Sequence, residues 1–174
     1  FMGELLVARL GVELLCVGYD HHFGKPQKGE GFEQYVEYGK TMGVELFKAG
    51  PFVVDGSPVS SSRIRRALVQ GDIPCVKGML GRNYEFSGKV VSGAGIGRSL
   101  GFPTANIELN DCLKMLPLDG VYDVRVECCG QVYKGVMNIG VKPTVGKNLK
   151  RTIEVNIIDF SGDIYGIGIK VNLL

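Results

Sequence analysis

The sequence has no tryptophan, only two histidines, no paired CxxC spacing, no surplus of charge and no long apolar run. Each shortage removes a class of function. Twenty Lys plus Arg against 18 Asp plus Glu leave a formal charge of +2, too balanced for a protein whose main partner is a nucleic-acid polyanion, so any anion site is local. The missing tryptophan points the same way, although seven tyrosines and eight phenylalanines leave base stacking open. Five cysteines, Cys16, Cys75, Cys112, Cys128 and Cys129, are an odd number without zinc-like or disulfide-framework spacing, which suggests reduced thiols in a cytoplasmic protein. The adjacent Cys128 and Cys129, read as strand, should point to opposite faces and share no ligand. No run approaches the roughly 18 apolar residues of a membrane helix, and no secretory signal opens the chain. Glu4 to Leu10 reads instead as the middle of an uncapped helix, so the start is expected to be a cut.

What the sequence has in surplus is glycine, 26 of 174 residues, about twice the usual ~7%. Glycine gathers where backbone must turn with positive φ or approach a ligand closely. Two grammars follow one another along the chain. The first alternates helix and strand: an apolar helix to Leu10, a short run Leu14 to Gly18 like a buried parallel strand, then Phe32, Tyr35, Val36 and Gly39 at helical spacing and a strand from Val44 to Phe47. Asp55-Gly56 is a turn signal; Ser60, Ser61 or Ser62 can cap a helix that Gly71 ends, and a short helical piece runs to about Met79. From Tyr84 period-two segments take over, which predicts a boundary near Gly81 between residues 1–80 and 81–174. Expected strands are Tyr84 to Ser92, Ala105 to Leu109, Val121 to Cys128, Val132 to Asn138, Arg151 to Asp159 and Ile167 to Leu173, with Asp119-Gly120 and Gly130 as turns. Six such strands can close a small barrel. An end-covering helix is expected to be lacking, because the chain stops just after the last strand.

The chemistry-bearing stretch is Gly93-Ala94-Gly95-Ile96-Gly97-Arg98-Ser99-Leu100-Gly101-Phe102-Pro103-Thr104-Ala105-Asn106. Glycines at 93, 95, 97 and 101 free backbone N–H groups to point at one anion, and Arg98 adds a fixed charge, so the loop can wrap phosphates. It is no P-loop, since no Gly-Lys-Ser/Thr follows. Thr104 and Asn106, two apart, put hydroxyl and amide oxygens on one face of an extended segment, which suits Mg²⁺ shared with a nucleotide. Spacing alone fits a Gly-rich barrel turn with a structural Thr-Asn pair at least as well. Further on, Thr152, Glu154 and Asn156 alternate against Ile153, Val155 and Ile157. A hydroxyl attacking a γ-phosphoryl group needs orientation and a proton acceptor, which one carboxylate supplies. Most such strand glutamates simply face solvent.

The run "GRSLGFPTAN" resembles the signature of riboflavin kinases, and "LGRNYEFSGKVVSG", "LPLDGVYDVRV", "GVMNIGVKPTV", "RTIEVNIIDF" and "DIYG" resemble that family in family order over residues 80 to 166. The resemblance implies a Greek-key barrel that phosphorylates riboflavin to FMN with ATP and Mg²⁺. It implies that Thr104 and Asn106 hold metal and phosphates and that Glu154 is the base; Gly95, Gly97, Arg98 and Gly101 remain the candidate nucleotide loop from glycine spacing and charge. Many family members carry His where this chain has Asn156.

The earlier segments "VGYDHHFG" and "VSSSRIRRAL" resemble the Rossmann-like nucleotidyltransferase domain that precedes the kinase in bacterial bifunctional FAD synthetases. Ser62 stands where that family has Thr. Ser61, Ser62 and Arg65 at a helix start suit a triphosphate, or equally a serine-capped helix with exposed arginines. The family's His-x-Gly-His motif is missing, and the adjacent His21 and His22 do not replace it. Asp20, His21 and His22 as a metal site is the weaker reading of that segment beside a loop packing near ligand. Three functions therefore stand: a riboflavin kinase whose longer parent also adenylylates FMN to FAD; a protein dominated by adenylyl transfer whose barrel only docks flavin; and a barrel that binds flavin or single-stranded nucleic acid without catalysis.

Overall fold

The structure, a computed structural model, describes residues 2–21, 31–93, 103–141 and 151–174. By packing, the chain divides into two compact units, Phe1–Pro58 and Val59–Leu174.

In the first unit a short wide-turn helix, Met2–Val7, is followed by β1 (Leu14–Gly18), α1 (Phe32–Thr41) and β2 (Glu45–Ala49). β1 and β2 run parallel, Leu14 opposite Glu45 and Gly18 opposite Ala49, as a strand–helix–strand unit requires. The expected burial of β1 does not occur. Val17 is 3% exposed, but Leu14 remains 60% and Phe47 59% exposed. The reason is layer count: among the described residues the sheet has two strands, and the main packing of α1 is on β2. β3 (Val53–Val54) and β4 (Ser57–Pro58) form a hairpin around Asp55 and Gly56, both at positive φ, 53° and 70°, as the two-residue turn that matches strand twist demands.

The second unit opens with α2 (Ser61–Val69) and α3 (Ile73–Leu80). Ser60 caps α2, its Oγ accepting from the Arg63 N–H at 3.3 Å, and Asp72 caps α3 by accepting from the Cys75 N–H at 3.0 Å. The change of grammar near Gly81 is not where packing divides the chain. Leu68, 1% exposed, and Val76, 0% exposed, are buried within this unit, and the Leu118 N–H donates to the Leu68 carbonyl at 3.2 Å. The two helices therefore count with the barrel.

Six strands follow: β5 (Glu85–Val91), β6 (Ala105–Leu109), β7 (Gly120–Cys128), β8 (Gln131–Val141), β9 (Arg151–Ile157) and β10 (Gly168–Leu173). They close in the order β10-β5-β6-β9-β8-β7, every pair antiparallel. The run β7-β8-β9 with β6 returning beside β9 is a Greek key. Closure leaves no open edge, and the period-two pattern sends Val126, Met137, Val155 and Val171, each 0% exposed, to the interior.

Two local expectations fail. Gly120 is no turn residue but begins β7 opposite Ile139; its neighbour Asp119 accepts from the Arg151 Nε at 2.7 Å. Cys129 does not continue the strand. It turns at φ 52° with Gly130 at φ 76°, a two-residue hairpin turn of the same kind as Asp55-Gly56, and its sulfur lies 3.4 Å from that of Cys128.

Candidate functional site

Antiparallel pairing decides what stands beside Glu154. On one side β9 pairs with β6, Glu154 opposite Asn106; on the other it pairs with β8, Glu154 opposite Asn138. Directly opposed residues share a face of the sheet. Because Ile153, Val155 and Ile157 fill the interior, the even-numbered residues of β9 face outward, and one carboxylate is flanked by two side-chain amides across three strands.

Thr104 precedes β6 on the same parity. Its hydroxyl donates to Glu154 Oε2 at 3.5 Å, the outer limit of a hydrogen bond. Asn156, two residues beyond Glu154, donates from its amide nitrogen to the Pro103 carbonyl at 2.9 Å, which ties the Pro-Thr-Ala-Asn stretch to β9. The asparagine standing where the family resemblance leads one to expect histidine thus has a positioning contact of its own. Beneath the group lies Gly93. A Cβ at that position would sit 2.5 Å from Asn106 Cγ and 2.8 Å from its Oδ1, so the missing side chain is the space the amide fills.

A cavity of about 690 Å³ opens beside these residues. Thr104, Asn106, Ser161 and Asp163 line its polar part, Val155, Ile157, Phe160 and Tyr165 much of the apolar one. Glu154 is not among the lining residues; its link to the cavity is the hydrogen bond from Thr104, which is. The size and mixed lining suit a flat ring system with a polar tail.

Of the residues expected from sequence, Thr104, Asn106 and Glu154 are brought together. Ser61, Ser62 and Arg65 sit exposed in the first two turns of α2, a separate element; the cap is Ser60. Gly95, Gly97, Arg98 and Gly101, and also His22, lie outside the described residues. Sequence reasoning missed Asn138 and the packing role of Gly93. The pairing of residue 138 with 154 depends on the register across residues 142–150, which no period reveals. Among the described residues no three His, Cys, Asp or Glu side chains cluster as a metal site, and no helix is long and apolar enough to cross a membrane.

Comparison with known proteins bears on this geometry. The family model described as riboflavin kinase matches residues 80–174, and the one described as FAD synthetase matches residues 1–63. A protein of Pseudomonas fluorescens named bifunctional riboflavin kinase/FMN adenylyltransferase is 41% identical over 165 residues, covering 95% of this chain and 52% of that protein. Proteins of the same name from Bacillus subtilis, 40% identical, and Escherichia coli, 36% identical, cover 98% and 99% of the chain and 54% of their own length. The chain thus spans about half the length of the curated relatives it matches. A crystal structure described as a macrolide-efflux protein from Streptococcus pneumoniae superposes with a TM-score of 0.84 at 31% identity, covering 99% of this chain and 55% of that one.

Proposed function

The chain belongs to the riboflavin kinase family, and we propose that its barrel moves the γ-phosphoryl group of ATP to the 5′-hydroxyl of riboflavin, releasing FMN and ADP. The observation that carries this reading is the contact of the Glu154 carboxylate with the Thr104 hydroxyl at 3.5 Å, with Asn106 directly opposite on β6.

Phosphoryl transfer asks the protein for positioning and electrostatics more than for covalent chemistry. Glu154 receives the hydroxyl proton as the oxygen attacks phosphorus. The Thr104 hydroxyl and the Asn106 amide N–H can donate to phosphate oxygens, and their oxygens would serve Mg²⁺, a hard cation that takes oxygen ligands and shares them with a nucleotide. When bound, that cation neutralises charge on the transferring group. Thr104 and Asn106 are the residues that would hold it. Asn156 keeps Thr104 in place through Pro103. The isoalloxazine lies against the apolar wall made by Ile157, Phe160 and Tyr165. By their sequence chemistry, Gly95, Gly97, Arg98 and Gly101 would offer backbone N–H groups and one positive charge to the triphosphate.

For the first part of the chain the reading is adenylyl transfer from a second ATP to FMN, giving FAD, in a protein of the relatives' full length. The FAD synthetase match to residues 1–63 supports it, as does the parallel β1–α1–β2 unit, which fits a Rossmann-like domain. Ser61, Ser62 and Arg65 would then meet that nucleotide. On this view the functional boundary falls between residues 80 and 81, and the protein acts in the cytoplasm.

The test is to incubate the chain with riboflavin and MgATP and resolve the flavins chromatographically. FMN formation is expected; bound but unmodified flavin would leave only a docking barrel. Glu154→Gln should lower the rate by about 10²- to 10⁴-fold, the usual worth of a positioned base, while flavin binding, followed by fluorescence quenching, persists. Full activity in that variant removes the base assignment.

A further inference from the structure

A second cavity of about 500 Å³ lies elsewhere on the barrel and shares no lining residue with the one at Thr104. It is lined by Cys128, Cys129, Ile169 and Lys170 among others, where the β7–β8 turn meets β10. Nothing in the phosphoryl-transfer chemistry uses it.

The turn controls the sulfurs. Two neighbouring residues in a continuous strand send their side chains to opposite faces. Here Cys129 adopts φ 52°, a left-handed conformation in which residues other than Gly, Asn and Asp are uncommon. The result is a pair of thiols on one side of the chain, with Sγ atoms 3.4 Å apart. Cys128 is 2% exposed and Cys129 is exposed. One sulfur is open to an incoming reagent, and the other lies behind it along the cavity wall.

Three partners for such a pair can be compared. A direct disulfide suits it poorly, because adjacent Cα atoms are about 3.8 Å apart across a trans peptide, below the roughly 4.4–6.8 Å usual for disulfides. Structural tetrahedral zinc also fits badly, because it asks for two further protein ligands in a closed site. No third His, Cys, Asp or Glu joins the pair among the described residues. With bonds of about 2.3 Å, sulfurs 3.4 Å apart can be bridged by one atom at an angle of about 95°. That is the shape of a pyramidal trivalent centre bearing a lone pair.

We propose that Cys128 and Cys129 form a bidentate dithiol site for a trivalent thiophilic oxyacid of the arsenous type. Two As–O bonds break and two As–S bonds form. Each thiol proton leaves on a departing hydroxyl as water, so two waters are released per centre. Arsenic stays trivalent, and no oxidant or reductant is consumed. Cys129 reacts first because it is exposed, and ring closure on Cys128 follows. The third substituent on arsenic points into the cavity beside Ile169. Protonation state favours the same ligand. Burial, reinforced by the neighbouring thiol, pushes Cys128 up to about 11. Divalent metals need thiolates, whereas condensation with a neutral oxyacid takes the thiols protonated.

The test uses the reduced chain and phenylarsonous acid, the hydrated form of phenylarsine oxide, followed by intact-mass spectrometry and competition. One phenylarsenic per chain is expected, removed by a small dithiol and resistant to an equal concentration of a monothiol. Cys129→Asn places Asn-Gly in the turn, a pair that favours this geometry, so the fold should hold while apparent affinity falls about 100-fold or more with the loss of the chelate ring. Replacing Cys16, Cys75 and Cys112 together by serine should change nothing. The proposal is overturned if no adduct forms, if the adduct survives Cys129→Asn, if it disappears in the triple variant, or if Zn²⁺ occupies the pair more tightly than the arsenical at pH 7.

Discussion

A single methyl group at Gly93 should disable the barrel's chemistry while leaving the barrel standing. The Cβ of Gly93→Ala would lie 2.5 Å from Asn106 Cγ and 2.8 Å from Oδ1, well inside contact distance, so the amide must leave. It has somewhere to go, because the obstacle is a side chain on a strand's outward face. A displaced rotamer costs about 0.5–1.5 kcal/mol, while the lost glycine freedom of the unfolded chain returns about 0.4–1 kcal/mol. Net stability should therefore shift by less than about 1 kcal/mol. Gly88→Ala is the contrast: its Cβ would meet the Glu108 carbonyl at 2.5 Å, which is backbone of the paired strand, and overpacking there should cost about 1–3 kcal/mol. For function the order reverses. If Asn106 contacts phosphate or its cation, losing one bond to a charged group removes about 1.5–3 kcal/mol, or about 10- to 100-fold in kcat/KM for MgATP. The assay is FMN formation with Gly93→Ala, Asn106→Ala and the double variant, alongside denaturant unfolding of each. The double variant should be no slower than Asn106→Ala, since both changes remove the same contact. Additive losses, or a Gly93→Ala protein with full activity, would refute the reasoning.

Two further predictions concern the barrel. Met137, 0% exposed on β8, should lose about 2–5 kcal/mol on truncation to alanine, measured by chemical unfolding. Tyr84 donates its hydroxyl to the Met115 carbonyl at 2.6 Å, and burial, partly opposed by Arg82, raises its phenol above 10.0. The folded state therefore holds this proton more tightly than the unfolded chain. The stabilisation is complete below pH 10 and is lost as pH climbs through the folded value, and Cys128, raised from 9.0 to about 11, has the same sign over that lower window. Tyr84→Phe should cost about 1 kcal/mol at pH 8, and its deficit against the parent should shrink above pH 10; a constant deficit would contradict the assignment.

Much of the barrel was legible because strand period and turn chemistry are local. The alternation of Ile153, Val155 and Ile157 with Thr152, Glu154 and Asn156 gave both the strand and the face on which the carboxylate stands. Asp55-Gly56 read as a turn for the same reason: its backbone preference lies in two residues. Reading failed where the answer depended on neighbours in space. Asp119-Gly120 looks like a turn, but Arg151 captures Asp119 and Gly120 enters β7. Cys128 and Cys129 look like strand, but closing the β7–β8 hairpin forces the second into a left-handed turn.

The sequence by itself determined the six barrel strands, their inward apolar faces and the identity of Thr104, Asn106 and Glu154 as candidates, because side-chain alternation and residue chemistry need no partner to be read. Only the tertiary structure decided that β6 and β8 flank β9 in a register that sets Asn106 and Asn138 against Glu154. Register is a relation between segments tens of residues apart, settled by barrel closure and by burying one face rather than the other.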